Sequence, residues 1–264
     1  MTVSTLTIQW SDLMNFVAVY LGMGRESDPA SYSGWSADNY TLIDEQVQAG
    51  YRQFLWPPPL PGERKSHEWS FLRTYGKLTT VADKKDYTLP DDVGAVIGCM
   101  TFDEGEGSVP LVKCKVEAIL RLRQYQRGSG SPTKYAVNTV ADPDGQGQMK
   151  ELMLWPTPDA EYNLRYPCYL MPNMLSSTSI YPVGGAIHSE TLKQSCLAAA
   201  EVYLENTKGE QWDKFMERLQ ASIRLDRQTM GPDNLGYFGK SRPVGRGDRR
   251  EASSYYVTYE GSTG

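Results

Sequence analysis

Histidine is scarce, at two in 264 residues, and the four cysteines, Cys99, Cys114, Cys168 and Cys196, never form a CxxC pair. The usual zinc spacings are therefore missing, and the scattered thiols read as reduced, partly buried side chains. No apolar run reaches the roughly 18 residues of a membrane span, and the opening MTVSTLTIQWSDLMNF has neither a basic region nor a small-residue cleavage site. The expectation is a protein made and used in a reducing cytoplasm, or in something assembled there. Positive charge is also in short supply. Lys and Arg number 27 against 32 Asp and Glu, a net −5, which disfavours a globally basic nucleic-acid coat.

The signatures of common catalysts are absent too: the chain has no GxxxxGKS/T, HExxH, GxSxG or strand-linked GxGxxG. Asp142-Pro143-Asp144-Gly145 resembles part of a calcium loop, but its glycine comes too early and no Glu closes it, so it reads as a hairpin turn. His67, beside Pro-rich sequence and Trp69, and His188, next to Ser189 and Glu190, belong to the residue type that titrates near neutrality, yet neither brings an obvious nucleophile. Arg246-Gly247-Asp248 spells an integrin-binding tripeptide in a chain without an extracellular disulfide pattern, and is set aside. The protein is accordingly read as not an enzyme, with no catalytic residues, metal or cofactor expected.

What is present is an ordinary folding composition, 40% hydrophobic and 11% aromatic. Leu13, Phe16, Val17, Tyr20 and Leu21 predict a first helix capped by Ser11 or Thr7 and ended by Gly22. Ser36 caps a second, with Tyr40, Ile43, Val47, Tyr51 and Phe54 on one face, stopped by Pro57-Pro58-Pro59. Strands are expected at Lys77–Val81, Lys85–Leu89, Ala95–Phe102, Thr133–Val140, Gln148–Trp155 and Tyr162–Leu170. Among them, Lys115–Gln126 reads as a helix with Val116, Ile119, Leu120 and Arg123 on one side. Helical spacing returns at His188–Asn206 (Leu192, Cys196, Ala199, Ala200, Tyr203) and Glu210–Met230 (Trp212, Phe215, Met216, Leu219, Ile223). The short Thr207-Lys208-Gly209 link makes these an antiparallel pair. The fold class is α+β: N-terminal helices over 1–76 and C-terminal helices over 187–230 in one helical bundle, a β-rich insertion over 77–186, and an extended arm over 231–264.

The arm differs in kind. Seven of its 34 residues are glycine, and alone it cannot bury enough apolar surface to offset the cost of ordering. It nevertheless carries an aromatic pair, Tyr237-Phe238, five basic residues against one acid over Lys240–Arg250, and the strand former Ser254–Glu260. Residues 240–264 are net +2, leaving −7 on the body. An acidic body with a basic, strand-capable arm points to docking on another protein.

Several stretches together resemble the head-to-tail adaptor (connector) proteins of tailed bacteriophages: a first helix ending in Leu-Gly, a loop with Trp35, GYRQFLWPPP at Gly50–Pro59, and HEWSFLR at His67–Arg73. A strand pair TTVADKKDYTLPDD (Thr79–Asp92), LWPTPDAEYNLRYPCYL (Leu154–Leu170) and the helix HSETLKQSCLAAAE (His188–Glu201) continue the likeness, which covers most of the chain up to Met230. The resemblance implies a structural virion protein of the neck, between capsid and tail, passing through the host cytoplasm during assembly. It implies a homo-oligomeric ring, twelve-fold, beneath the portal protein, offering its other face to a downstream tail or neck protein, with double-stranded DNA passing through unbound and no membrane involved. The arm is then the portal-binding element, with Tyr237, Phe238, Arg246, Arg249, Arg250, Tyr255, Tyr256, Val257 and Tyr259 as contacts. Asp103, Glu104 and Glu106 are candidates for charges lining the DNA channel, where carboxylates repel phosphates. Three other readings remain: another structural tail component, such as a tail-completion or tube-proximal protein; a nucleic-acid module using Lys240–Arg250 with Tyr237 and Phe238; and a small-molecule enzyme centred on His188.

Overall fold

The computed structural model describes residues 4–27, 34–105, 109–125, 128–142 and 147–229. Helical spacing becomes five α-helices among these residues: α1 (Trp10–Tyr20), α2 (Ala37–Leu55), α3 (Val116–Tyr125), α4 (Ser189–Glu205) and α5 (Glu210–Thr229). α1 stops as expected: the amides of Gly22 and Met23 donate to Val19 and Ala18, and Gly22 takes the positive φ (+77°) that this reversal needs. Its start is different. Gln9 is the cap residue rather than Ser11 or Thr7, because the Asp12 carboxylate reaches back 3.1 Å to the Gln9 amide. Ser36 caps α2 as read, accepting from the Asn39 amide, and all five expected face residues of that helix are buried.

Among the described residues eight strands form two sheets: β1 (Arg73–Thr79), β2 (Asp86–Thr88), β3 (Val93–Val96), β4 (Thr101–Phe102), β5 (Val112–Lys113), β6 (Lys134–Ala141), β7 (Gln148–Trp155) and β8 (Asn163–Leu170). One sheet has the order β1-β8-β3, with β4 also paired to β8; the other runs β2-β7-β6-β5. The Thr79–Asp92 stretch is therefore not a strand pair. β1 pairs with β8 and β2 with β7, so the chain crosses between sheets at 80–85, a bend held by the Tyr87 hydroxyl against Val81 and Lys84. The expected strand Ala95–Phe102 is also two, β3 and β4, broken where Gly98 turns with φ +70°. β6 and β7 pair from Lys134↔Trp155 to Ala141↔Gln148, a hairpin register whose turn lies mostly outside the described residues.

Period-two alternation then builds the layers. Leu152 and Leu154 of β7, Tyr135 of β6, and Leu164, Tyr166 and Cys168 of β8 meet between the sheets, while Ala136 and Met153 face away to Ile119 of α3. Leu120, expected on that buried side, is 51% exposed. A separate apolar cluster joins α1, α2, α4 and α5, with Trp35, Trp69, Leu72 and Leu175. α2 and α4 approach closely at Gly50, whose carbonyl accepts from the Ser195 hydroxyl at 2.8 Å. Tyr203, assigned to the inner face of α4, is exposed instead.

Candidate functional site

The portal-contact residues read from the sequence, Tyr237, Phe238, Arg246, Arg249, Arg250, Tyr255, Tyr256, Val257 and Tyr259, lie outside the described residues, as does Glu106. Asp103 and Glu104 follow β4. Asp103 forms an ion pair with Arg165 of β8, so its charge is compensated, whereas Glu104 is exposed.

A linkage absent from the sequence reading sits at the last described turns of α5. Asp226, on that helix, is buried and accepts from three groups of the segment before β1: His67 Nε2 at 2.7 Å, the Ser70 amide at 3.0 Å and the Ser70 hydroxyl. Burial alone would raise its carboxyl; the Ser70 hydroxyl, His67 and the Ser70 amide together hold it below the usual range. Around this linkage the rings are packed edge and face. Trp69 lies 4.9 Å from His67, 5.0 Å from Phe54, 5.2 Å from Phe71 and 5.0 Å from His188, and its indole donates to the Phe54 carbonyl at 2.8 Å. HEWSF is thus a clasp that ties α2, α4 and α5 to the start of β1. His188, placed by the sequence in a helix's first turn, instead precedes α4 as its cap residue, and burial pushes its imidazole below the usual value.

On its outer side His67 borders a cleft of about 730 Å³, with Trp56, Lys65, Arg73, Ile97 and Tyr169 among its walls. Its floor is one row across a sheet, because Arg73 pairs with Tyr169 and Tyr169 with Ala95. The chemistry of the clasp is positional. The Ser70 hydroxyl donates to the carboxylate rather than to an imidazole, so the carboxylate sits between serine and histidine and the base-to-nucleophile contact of an acyl-transfer site is not made. Among the described residues no group of three His, Cys, Asp or Glu is placed to hold a metal ion, and no helix is long and apolar enough to cross a membrane.

A protein-family model described as SU10 adaptor protein matches residues 8–236. The chain belongs to the SU10 adaptor protein family. The SU10 adaptor match spans α1 to α5 and includes GYRQFLWPPP, the HEWSF clasp and the α4 sequence, the stretches on which the likeness to phage head-to-tail adaptors was drawn. It identifies a phage structural adaptor protein. It ends at Gly236, one residue before Tyr237, so every arm contact read from the sequence lies beyond it. None of the curated proteins compared with this SU10 adaptor matches it. The pairing of His67 with Asp226 was missed because it spans 159 positions; its one signal in the sequence was an acid, Asp226, falling at the spacing of Leu219, Ser222 and Ile223 on the inward face of α5.

Proposed function

We propose that this SU10 adaptor closes into a ring beneath the portal protein, links the capsid vertex to the tail and forms part of the channel for viral DNA. The observation that carries this reading is the family match over residues 8–236. In it, α1, α2, α4 and α5 are the bundle, residues 77–186 the β-rich insertion and residues 231–264 the portal-binding arm. The ring is twelve-fold, and a second face meets the downstream tail or neck protein. The −7 body supports the conduit, since net negative charge keeps a duplex from adhering.

Docking follows from the arm's composition. Tyr255–Tyr259 adds to an exposed sheet edge of the portal or of an adjacent subunit, main-chain hydrogen bonds giving affinity and alternate side chains giving register. Burying Tyr255, Tyr256, Val257 and Tyr259 contributes about 1.5–3 kcal/mol each, against about 1–2 kcal/mol per residue for ordering the backbone. One arm roughly breaks even. A ring makes later arms intramolecular at high effective concentration, so many weak arms hold where one does not. The test is deletion of residues 240–264: portal docking is lost while the body's circular dichroism and unfolding midpoint stay unchanged. Undiminished docking by the shortened chain would remove the arm from the account.

A further inference from the structure

Sheet edges invite further pairing, and folded proteins blunt them with short strands, bulges, proline or charge. Most outer strands here are blunted: β2 has three residues, β4 and β5 two each, and β3 carries a register shift between Val93 and Ala95. Among the described residues β1 is the exception. It runs seven residues without proline or bulge, paired continuously from Arg73↔Tyr169 to Thr79↔Asn163, and β8 is its one strand neighbour. Its register shows which backbone groups are spare. Tyr75 lies opposite Pro167, which has no N–H and whose carbonyl accepts from Ile97 on the far side, so Tyr75 turns its own N–H and C=O away from β8. Lys77 and Thr79 share that alternation, and among the described residues no other strand meets them there. Side chains alternate too. Arg73, Tyr75, Lys77 and Thr79 are exposed, Tyr75 by 74%, whereas Thr74, Gly76 and Leu78 are half-buried, and the Tyr166 ring fills the place of a side chain at Gly76.

We propose that the β1 edge receives the arm strand Ser254–Glu260 of a second copy of this chain, antiparallel, with Glu260 opposite Arg73 and Ser254 opposite Thr79. This rests on the arm-docking reading above and selects, from the two acceptors named there, the adjacent subunit and one edge on it. Length agrees, seven residues against seven. Alternation agrees as well: Tyr255, Val257 and Tyr259 fall on the half-buried face with Thr74, Gly76 and Leu78, and Tyr256, Thr258 and Glu260 on the exposed face with Arg73, Tyr75 and Lys77. Charge sets the direction. The antiparallel register places an acid across from Arg73, whose present partner Glu68 is an exposed one at 3.2 Å, whereas a parallel register carries Glu260 away to Thr79. Reach is sufficient: the 24 residues from Met230 to Ser253 span about 80 Å when extended, against a radius of gyration of about 17 Å for a body of this size.

The test uses the full chain assembled on portal rings from two kinds of copy, one unlabelled with Val257→p-benzoylphenylalanine, the other labelled with heavy nitrogen and otherwise unchanged. Irradiation, trypsin and mass spectrometry are expected to find the unlabelled arm joined to the heavy Thr74–Lys77 peptide, which only a contact between copies can produce. Tyr75→Pro removes an outward N–H and no bond to β8, so it should lower that yield about tenfold with circular dichroism unchanged. Arg73→Glu gives a second readout that leaves the backbone alone: about threefold less product, restored when Glu260→Arg is added. Chain that fails to assemble on the portal overturns the ring and this pairing together. Arms crosslinked to the portal instead leave the ring standing and overturn the pairing. It is overturned equally if no heavy β1 product forms, if arm and β1 join only within one copy, or if both variants leave the yield undiminished.

Discussion

Gly50 shows how much one missing methyl can decide. A Cβ built there would lie 2.4 Å from the Cα of Cys196 and 2.7 Å from its amide nitrogen, and backbone cannot step aside as a flexible side chain does. Gly50→Ala is expected to push α2 from α4 and cost about 1–3 kcal/mol, read as a lower denaturant midpoint; an unchanged midpoint would mean the helices do not touch there. The buried polar groups make a prediction in pH. Asp226 is held below its ordinary 3.8, so it stabilises the fold above that pH and the benefit is lost as pH falls through its folded value. His188 is held below its ordinary 6.5 by burial and by nearby His67, with Asp226 opposing. The unfolded chain then takes up the proton first, and stability declines as pH falls below 6.5. Thermal unfolding should reveal two acid limbs, the upper flattened in His188→Gln and the lower in Asp226→Asn. Asp226→Asn should also cost about 1.5–3 kcal/mol at neutral pH, the range for hydrogen bonds to a charged group. Neither acid limb could be read from the chain, because His67 meets Asp226 and His188 becomes buried only after the fold closes.

At the scale of elements, α5 begins on a borrowed cap. The Glu201 carboxylate, buried on α4, accepts from the amides of Gly209, Gln211 and Trp212 at 3.1, 2.9 and 2.9 Å. Burial would raise this carboxyl, but the three amides hold it below the usual range, as expected for an anion at a helix N-terminus. Glu201→Ala should loosen the α4–α5 turn and destabilise by about 0.5–2 kcal/mol, with faster amide exchange at Gln211 and Trp212; unchanged exchange would contradict the cap. The antiparallel pairing of α4 with α5 was legible because three linking residues leave little choice. Strand partners were not. β8 carries the full alternation of an inner strand, yet nothing local says that it joins Arg73–Thr79, some ninety positions earlier, and the run through Thr79–Asp92 looks like a hairpin until Tyr87 ties it into a crossing between sheets. Leu120 and Tyr203 failed for a related reason: helical spacing marks a stripe, and the width of the partner surface decides how much of it is covered.

For the whole molecule, the family was legible in packing and turn stretches, the WPPP stop, HEWSF and the α4 sequence, because residues that hold a fold are written contiguously. The parts proposed to act, the arm and the ring it docks, depend on partners and so leave only composition behind: glycine, net +2 and a tyrosine-rich strand former. Charge reversal at Glu104 should slow DNA release from assembled particles if that turn faces the channel; unchanged release would assign it to the outer rim. The most direct measurement is imaging of purified virions in which this polypeptide carries a label. The account predicts label in a symmetric collar between capsid vertex and tail, in many copies, and lost when residues 240–264 are removed. Label on the capsid lattice or at the distal tail, or none in the virion, would contradict it.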